Sequence, residues 1–258
     1  MTSSSPLSRI TRGSGPGLVL AHGGGGGAEA NWGTLIGPLA ERHTVVAPDF
    51  PGSGGTPAEP GELGLDDLAD RLVAAAVAEG LESFDLAGFS LGAAVSARAA
   101  ARHPGRVRSL VLIAGVVHAG PHLRLLVGAL IEAQRLDPVL RARFTVPLLF
   151  SPAWIDAASA EELAVLVKLI AATTPKGFRQ QFELVDRVDV RADLARITAP
   201  TLVVSATEDT LVDPAQHRAF AEGIPGARLL ELHSGHLVPG ERGPELLAAM
   251  REFLAERQ

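Results

Sequence analysis

Cysteine is absent from the 258 residues. That excludes a disulfide framework, thiolate zinc sites and a cysteine nucleophile, and by itself leaves the compartment open. Lysine is nearly absent: Lys168 and Lys176 stand alone among arginines. With the abundant alanine and glycine, this points to GC-rich coding rather than to function. Basic charge is in deficit, 23 Lys plus Arg against 29 Asp plus Glu, for a net charge of −6. A chain of that sign is a poor partner for nucleic acid, whose phosphates need neutralising. Long hydrophobic runs are missing too. Stretches such as Leu110 to Val117 fall far short of the roughly 18 residues of a membrane span. Met1 to Ser8 lack the charged-then-apolar order of a signal peptide. These absences predict a soluble, cytoplasmic protein with neither nucleic-acid nor membrane partners. What is plentiful is apolar side chain, 47% hydrophobic against 20% charged, enough for a sizeable core in one large domain.

Strand-like and helix-like segments alternate along the chain. Residues 1–17 are rich in Ser, Gly and Pro and leave room for one short strand at most. Strands are predicted over Leu18–His22, Thr44–Pro48, Phe84–Phe89 and Val107–Ala114, with helices over Asn31–Arg42, Leu65–Gly80 and Leu91–Arg102. Continuous apolar strands between helices specify a mostly parallel sheet covered on both faces. The rhythm then breaks. Residues 118–196 have helical patterns without a convincing strand, punctuated by Pro147, Pro152 and Pro175. It resumes with strands at Thr201–Ser205 and Arg228–Leu232 and helices at Pro214–Gly223 and Pro244–Glu256. The expected organisation is an α/β core from residues 1–117 and 197–258, with 118–196 as a helical lid inserted into it.

Gly88-Phe89-Ser90-Leu91-Gly92 is a G-x-S-x-G pattern. Alone it is weak; its place between an apolar strand and an Ala-rich helix gives it weight. A tight strand-to-helix turn pushes a serine hydroxyl outward, and small flanking residues let strand and helix approach. The start of the helix also offers free N–H groups to a developing oxyanion. A serine needs a base. Of the eight histidines, His236 lies in the loop between the last strand and the last helix, at the sheet edge where Ser90 is also expected. His233 is its nearest competitor. His43 and His103 sit near helix ends, His217 falls within a helix, and His118 and His122 open the insertion. The orienting acid is expected on another strand-end loop, which selects Asp209, with Glu208 and Asp213 as competitors. Asp213 can equally cap the helix begun by Pro214.

A rival lies in Gly23-x-Gly25-x-x-Ala28 followed by Asp49, which fits a dinucleotide-binding fingerprint. The unbroken run Gly23 to Gly27 fits many templates by accident, however, and that reading leaves Ser90, Asp209 and His236 unexplained.

The order Ser90, Asp209, His236, together with His22-Gly23-Gly24, Pro48-Asp49-Phe50-Pro51-Gly52-Ser53-Gly54 and Gly235-His236, resembles the α/β-hydrolase superfamily over nearly the whole chain. The short N-terminus departs from it and implies a reduced leading hairpin. The resemblance implies that Ser90 attacks an acyl carbon, His236 moves the proton and Asp209 orients the imidazole. It also implies that the backbone N–H groups of Leu91 and Gly24 hold the oxyanion, and that Asp49 and Ser53 shape a loop. Ser90 disfavours the epoxide hydrolases and haloalkane dehalogenases, which carry a carboxylate at the elbow. Carbon–carbon bond hydrolases share the glycine segment but usually place a tryptophan where Leu237 stands. Gly235-His236-Leu237 with Glu241 and Pro244 is similar to enol-lactonases and small carboxylesterases, and cofactor-free perhydrolases share nearly the same signature. Biosynthetic cyclases and non-catalytic ligand-binding members also use the fold.

The expectation is therefore a serine hydrolase of a small-to-medium, mostly apolar carboxylic ester or lactone, needing no cofactor or metal. The insertion holds Phe144, Phe150, Trp154, Phe178 and Phe182, plus Leu148 and Leu149. Most are expected to pack the lid against the core and some to face the crevice. Phe144, Phe150, Trp154 and Phe178, with Trp32 just past the glycine loop, are the candidates to line the substrate pocket.

Overall fold

The computed structural model describes residues 5–256. Seven strands form one sheet in the order β1-β3-β2-β4-β5-β6-β7. They are β1 (Arg9–Arg12), β2 (Gly17–Ala21), β3 (Thr44–Pro48), β4 (Phe84–Phe89), β5 (Val107–Ile113), β6 (Thr201–Ala206) and β7 (Arg228–Leu232). Only β1 runs antiparallel, against β3 at the sheet edge. Residues 5–16 contribute one edge strand, β1. The other pairings are parallel, so the loops leaving β2, β4, β6 and β7 emerge along one edge.

The helices are α1 (Ala28–Ala40), α2 (Leu65–Ala78), α3 (Leu91–Arg102), α4 (Pro121–Glu132), α5 (Pro138–Leu149), α6 (Pro152–Ala157), α7 (Ala160–Thr173), α8 (Phe178–Val185), α9 (Arg191–Leu194), α10 (Pro214–Gly223), α11 (Val238–Glu241) and α12 (Gly243–Ala255). Strand alternation decides what packs where. Leu18 and Leu20 face α1 and α12, with Trp32, Ile36, Met250 and Phe253. Val19, Leu86 and Leu110 face the opposite layer, with Leu68 and Leu72 of α2 and the alanines of α3. Both faces are dry, as the unbroken apolar strands require. Helices α4 to α9 all fall between β5 and β6. Their Leu123, Val127, Phe182 and Val185 join the same apolar cluster as α2 and α3, so this helical segment is continuous with the core. No helix among the described residues is long and apolar enough to cross a membrane.

Candidate active site

Ser90 follows β4 and precedes α3 with φ of 55° and ψ of −118°, a positive-φ conformation that costs a non-glycine residue about 1–3 kcal/mol. A serine before a helix ordinarily turns its hydroxyl back to cap the first turn. Here it makes no cap hydrogen bond, so the hydroxyl is left to point outward. The turn is possible because its neighbours are glycine. A Cβ on Gly88 would lie 2.3 Å from the Gly92 carbonyl oxygen, and one on Gly92 would lie 2.2 Å from that of Ala21.

The other strand ends meet this serine. The Ser90 hydroxyl donates to His236 Nε2 at 2.9 Å, and His236 Nδ1–H donates to Asp209 Oδ2 at 2.6 Å. All three residues are buried. Asp209 Oδ1 accepts the backbone N–H groups of Leu211 and Val212 at 2.9 and 2.8 Å, which fixes the carboxylate plane. Burial is the largest influence on Asp209 and would push its carboxyl up. The positive charge arising on His236, with the nearby His217 ring, outweighs it and holds the group at about 2. The competitors lie elsewhere. Asp213 is exposed and caps α10 through the Ala215 N–H. His233 is exposed beside Thr207. His43 bonds the Leu39 carbonyl and His103 pairs with Asp70.

The glycine loop after β2 runs beside Ser90. Gly23 N–H is taken by Asn31 Oδ1 at 2.9 Å and Gly25 N–H by Gln181 Oε1 at 2.8 Å. The intervening Gly24 N–H, like that of Leu91, has no partner among the described residues. Gln181, fully buried on α8, also donates to the Pro51 carbonyl and Ser53 Oγ. Ser53 in turn donates to the Gly26 carbonyl at 2.6 Å, and Asp49 accepts the Ala28 and Gly55 N–H groups. Asp49 and Ser53 are thus spent on shaping the loop, which leaves no free carboxylate for a ribose. Gln181→Ala would orphan the Gly25 N–H and loosen this loop. The expected result is a stability loss of about 1–3 kcal/mol and a kcat lower by about ten- to a hundred-fold, read by thermal unfolding and steady-state kinetics.

His22 lies beneath the loop. Its Nδ1–H donates to the Gly23 carbonyl at 2.7 Å, and its Nε2 accepts from Phe50 N–H at 2.8 Å. Burial pushes this imidazole down from 6.5 to about 4, against smaller opposing effects of Gly23 and Asp49. The unfolded chain therefore takes up a proton that the folded chain refuses. The stability His22 confers is complete above about pH 6.5 and is lost as pH falls towards 4. Urea titrations across that window should show a midpoint that drops with acidity.

A cavity of about 480 Å³ opens over Ser90 and His236, lined by Gly24 and by apolar side chains including Leu123, Val127, Ile170, Phe178 and Phe182. Of the five aromatic candidates for this lining, Phe178 reaches it. Trp32 does not: it is fully buried on the inner stripe of α1 with Ala28, Leu35, Ile36 and Leu39. Phe150 and Trp154 stack on each other, with ring centres 4.2 Å apart, outside the cavity wall. Phe144 is 59% exposed and is not part of the cavity wall. Phe182, another aromatic of the inserted segment, stacks on Phe178 and lines the cavity too, whereas the supporting roles of Asn31, Gln181 and Glu241 were not evident from the sequence. Glu241 fastens the histidine loop to the helical segment. Its carboxylate accepts from the N–H groups of Gly235 and Ser151 and from the Ser151 hydroxyl, while Leu237 N–H reaches the Leu149 carbonyl. A second hollow, of about 780 Å³, lies among Gly27, Asp49, Gly54 and Lys176 and touches none of Ser90, Asp209 and His236.

A doubly covered parallel sheet with a serine elbow, a histidine after the last strand and an acid after the strand before it defines a class. The family described as the alpha/beta hydrolase fold matches residues 16–242. The chain belongs to that family and is a hydrolase. It is 37% identical over 245 residues to pyrrolizixenacetamide deacetylase of Xenorhabdus hominickii, covering 94% of this chain and 92% of that one. It is 32% identical over 233 residues to a putative carbamate hydrolase RutD of Azorhizobium caulinodans, covering 86% and 84%. Among solved structures, a hydrolase from Pseudomonas aeruginosa PA01 superposes with a TM-score of 0.84 at 27% identity, over 96% of this chain and 94% of that one.

Proposed function

We propose that the protein is a serine hydrolase that cleaves a small-to-medium, mostly apolar carboxylic ester or lactone through an acyl-enzyme. The observation that carries this reading is the unbroken relay from the Ser90 hydroxyl through His236 to Asp209 at the base of an apolar cavity. Ser90 Oγ attacks the carbonyl carbon while His236 Nε2 takes its proton, and Asp209 stabilises the imidazolium. The tetrahedral oxyanion accepts hydrogen bonds from the Gly24 and Leu91 N–H groups, each worth about 3–4 kcal/mol in the transition state. Collapse expels the alkoxide, which leaves with the proton from His236. Water then attacks the Ser90 ester with His236 again as base and releases the acid. Helices α4 to α8 act as the lid, and Phe178 and Phe182 bound the acyl pocket.

A second reading is an amide-type acyl bond, favoured by the 37% identity to a protein named as a deacetylase. The same relay serves it, because His236 protonates an amine as readily as an alkoxide.

Hydrolysis of p-nitrophenyl esters of graded acyl length, with wild type and Ser90→Ala side by side, tests the proposal. Turnover that peaks at short or medium chains and vanishes in the variant is expected. Faster cleavage of p-nitroacetanilide than of the matching ester would favour the amide reading. No Ser90-dependent turnover of either class would overturn the proposal and favour a carbon–carbon hydrolase, a cyclase or a binding protein.

A further inference from the structure

His217, on α10, is fully buried and has no part in the relay described above. Its Nε2 is a buried ring nitrogen that completes no hydrogen bond, yet it lies 3.4 Å from Asp209 Oδ2, the oxygen that already accepts from His236. Its Nδ1 lies 3.4 Å from Ser205 Oγ. Buried polar atoms are seldom left without purpose, and here the two neighbours select one tautomer. A carboxylate oxygen can only accept, so Nε2 must carry the hydrogen, and Nδ1 must accept from the serine hydroxyl. The opposite tautomer would set a lone pair against the carboxylate.

We infer that His217 is a positioning residue for the reaction: its Nε2–H stands behind Asp209 as a second imidazole donor on the oxygen that holds His236. This inference rests on the proposed Ser90-His236-Asp209 relay. A carboxylate oxygen shared between two N–H groups is a weaker acceptor towards either one. His217 thereby holds Asp209 in place and tempers how strongly its Oδ2 draws on the His236 Nδ1–H. The other charged groups around α10 are engaged elsewhere. Asp193 of α9 pairs with Arg98 at 2.7 Å, and Glu231 of β7 lies 3.4 Å from Arg218. Asp213, which caps α10, and Glu222 on the helix itself are exposed. His118 meets this helix through its backbone N–H on Gln216.

The test combines kinetics with a measurement on the wild-type protein. In His217→Phe the acid limb of kcat/KM should move to higher pH by about half a unit to one unit, and kcat should fall about tenfold with KM unchanged. His217→Gln, whose amide keeps an N–H donor near the Nε2 position, should restore the limb. In wild type, long-range 1H–15N correlation spectra at neutral pH should show the His217 hydrogen on Nε2. A hydrogen on Nδ1 would overturn the inference even if His217→Phe fails to fold. An acid limb that stays put in a folded His217→Phe would do the same and leave His217 a packing residue. Turnover that survives Ser90→Ala would instead remove the relay itself, a failure separable from that of His217 because the tautomer is read without turnover.

Discussion

Ser90→Ala is expected to lower kcat by about 10⁶ while the protein stays folded. The size follows from the relay. Without the hydroxyl, His236 Nε2 has no serine to deprotonate at 2.9 Å and no acyl-enzyme forms, so the Gly24 and Leu91 N–H groups are left to stabilise only the adduct of water. The residual rate would be that of water attacking substrate held in the cavity. The same position carries a stability prediction of opposite sign. Ser90 sits at φ 55°, a strain of about 1–3 kcal/mol that the elbow retains for the sake of the hydroxyl. Ser90→Gly should relieve it and raise Tm by several degrees, at about 2–4 °C per kcal/mol for a chain of this size. Differential scanning calorimetry reads the effect. A Ser90→Gly protein that melts no higher than Ser90→Ala would show that the elbow stores no strain.

Asp209→Asn should cost about 10⁴ in kcat, less than removal of Ser90 or His236. The geometry explains the severity of so small a change. Oδ1 of Asp209 is tied to two backbone N–H groups at 2.9 and 2.8 Å, so the asparagine carbonyl takes that place and its NH₂ faces His236. Two donors then confront each other where a 2.6 Å bond stood. The imidazole answers by moving its hydrogen to Nε2, and in that tautomer it cannot accept the Ser90 proton. Activity that survives Asp209→Asn intact would move the orienting role to Glu208 or Asp213, although Asp213 is occupied as the cap of α10.

The α/β architecture was readable because its local signals agree with one another. The strands at Thr44–Pro48, Phe84–Phe89 and Arg228–Leu232 and the helices at Leu91–Arg102 and Pro214–Gly223 begin and end where the pattern of apolar residues and breakers places them. That Ser90, His236 and Asp209 would lie together was legible for a related reason: each follows a strand end, and a parallel sheet gathers those ends along one edge. The cavity wall was not. Trp32 shares a helical stripe with Ala28, Leu35 and Ile36, a spacing that marks a core side chain, and closeness in sequence to the glycine loop misdirected it. Phe144 is exposed on α5, a helix whose apolar residues form no clear stripe, so its pattern does not say which way the ring faces. Gln181 reaches Gly25 across 156 positions of chain, and Glu241 reaches Ser151 across 90. Nothing local to either residue announces such a bond.

In the proposed reaction a covalent acyl group passes through Ser90. Rapid quenching of wild type with a turned-over p-nitrophenyl ester, followed by peptide mass spectrometry, tests it most directly. A stoichiometric burst of p-nitrophenol is expected, with an acyl mass on the peptide containing Ser90 that is absent in Ser90→Ala. Turnover with no acylated peptide and no burst, or with the acyl group on another side chain, would contradict it.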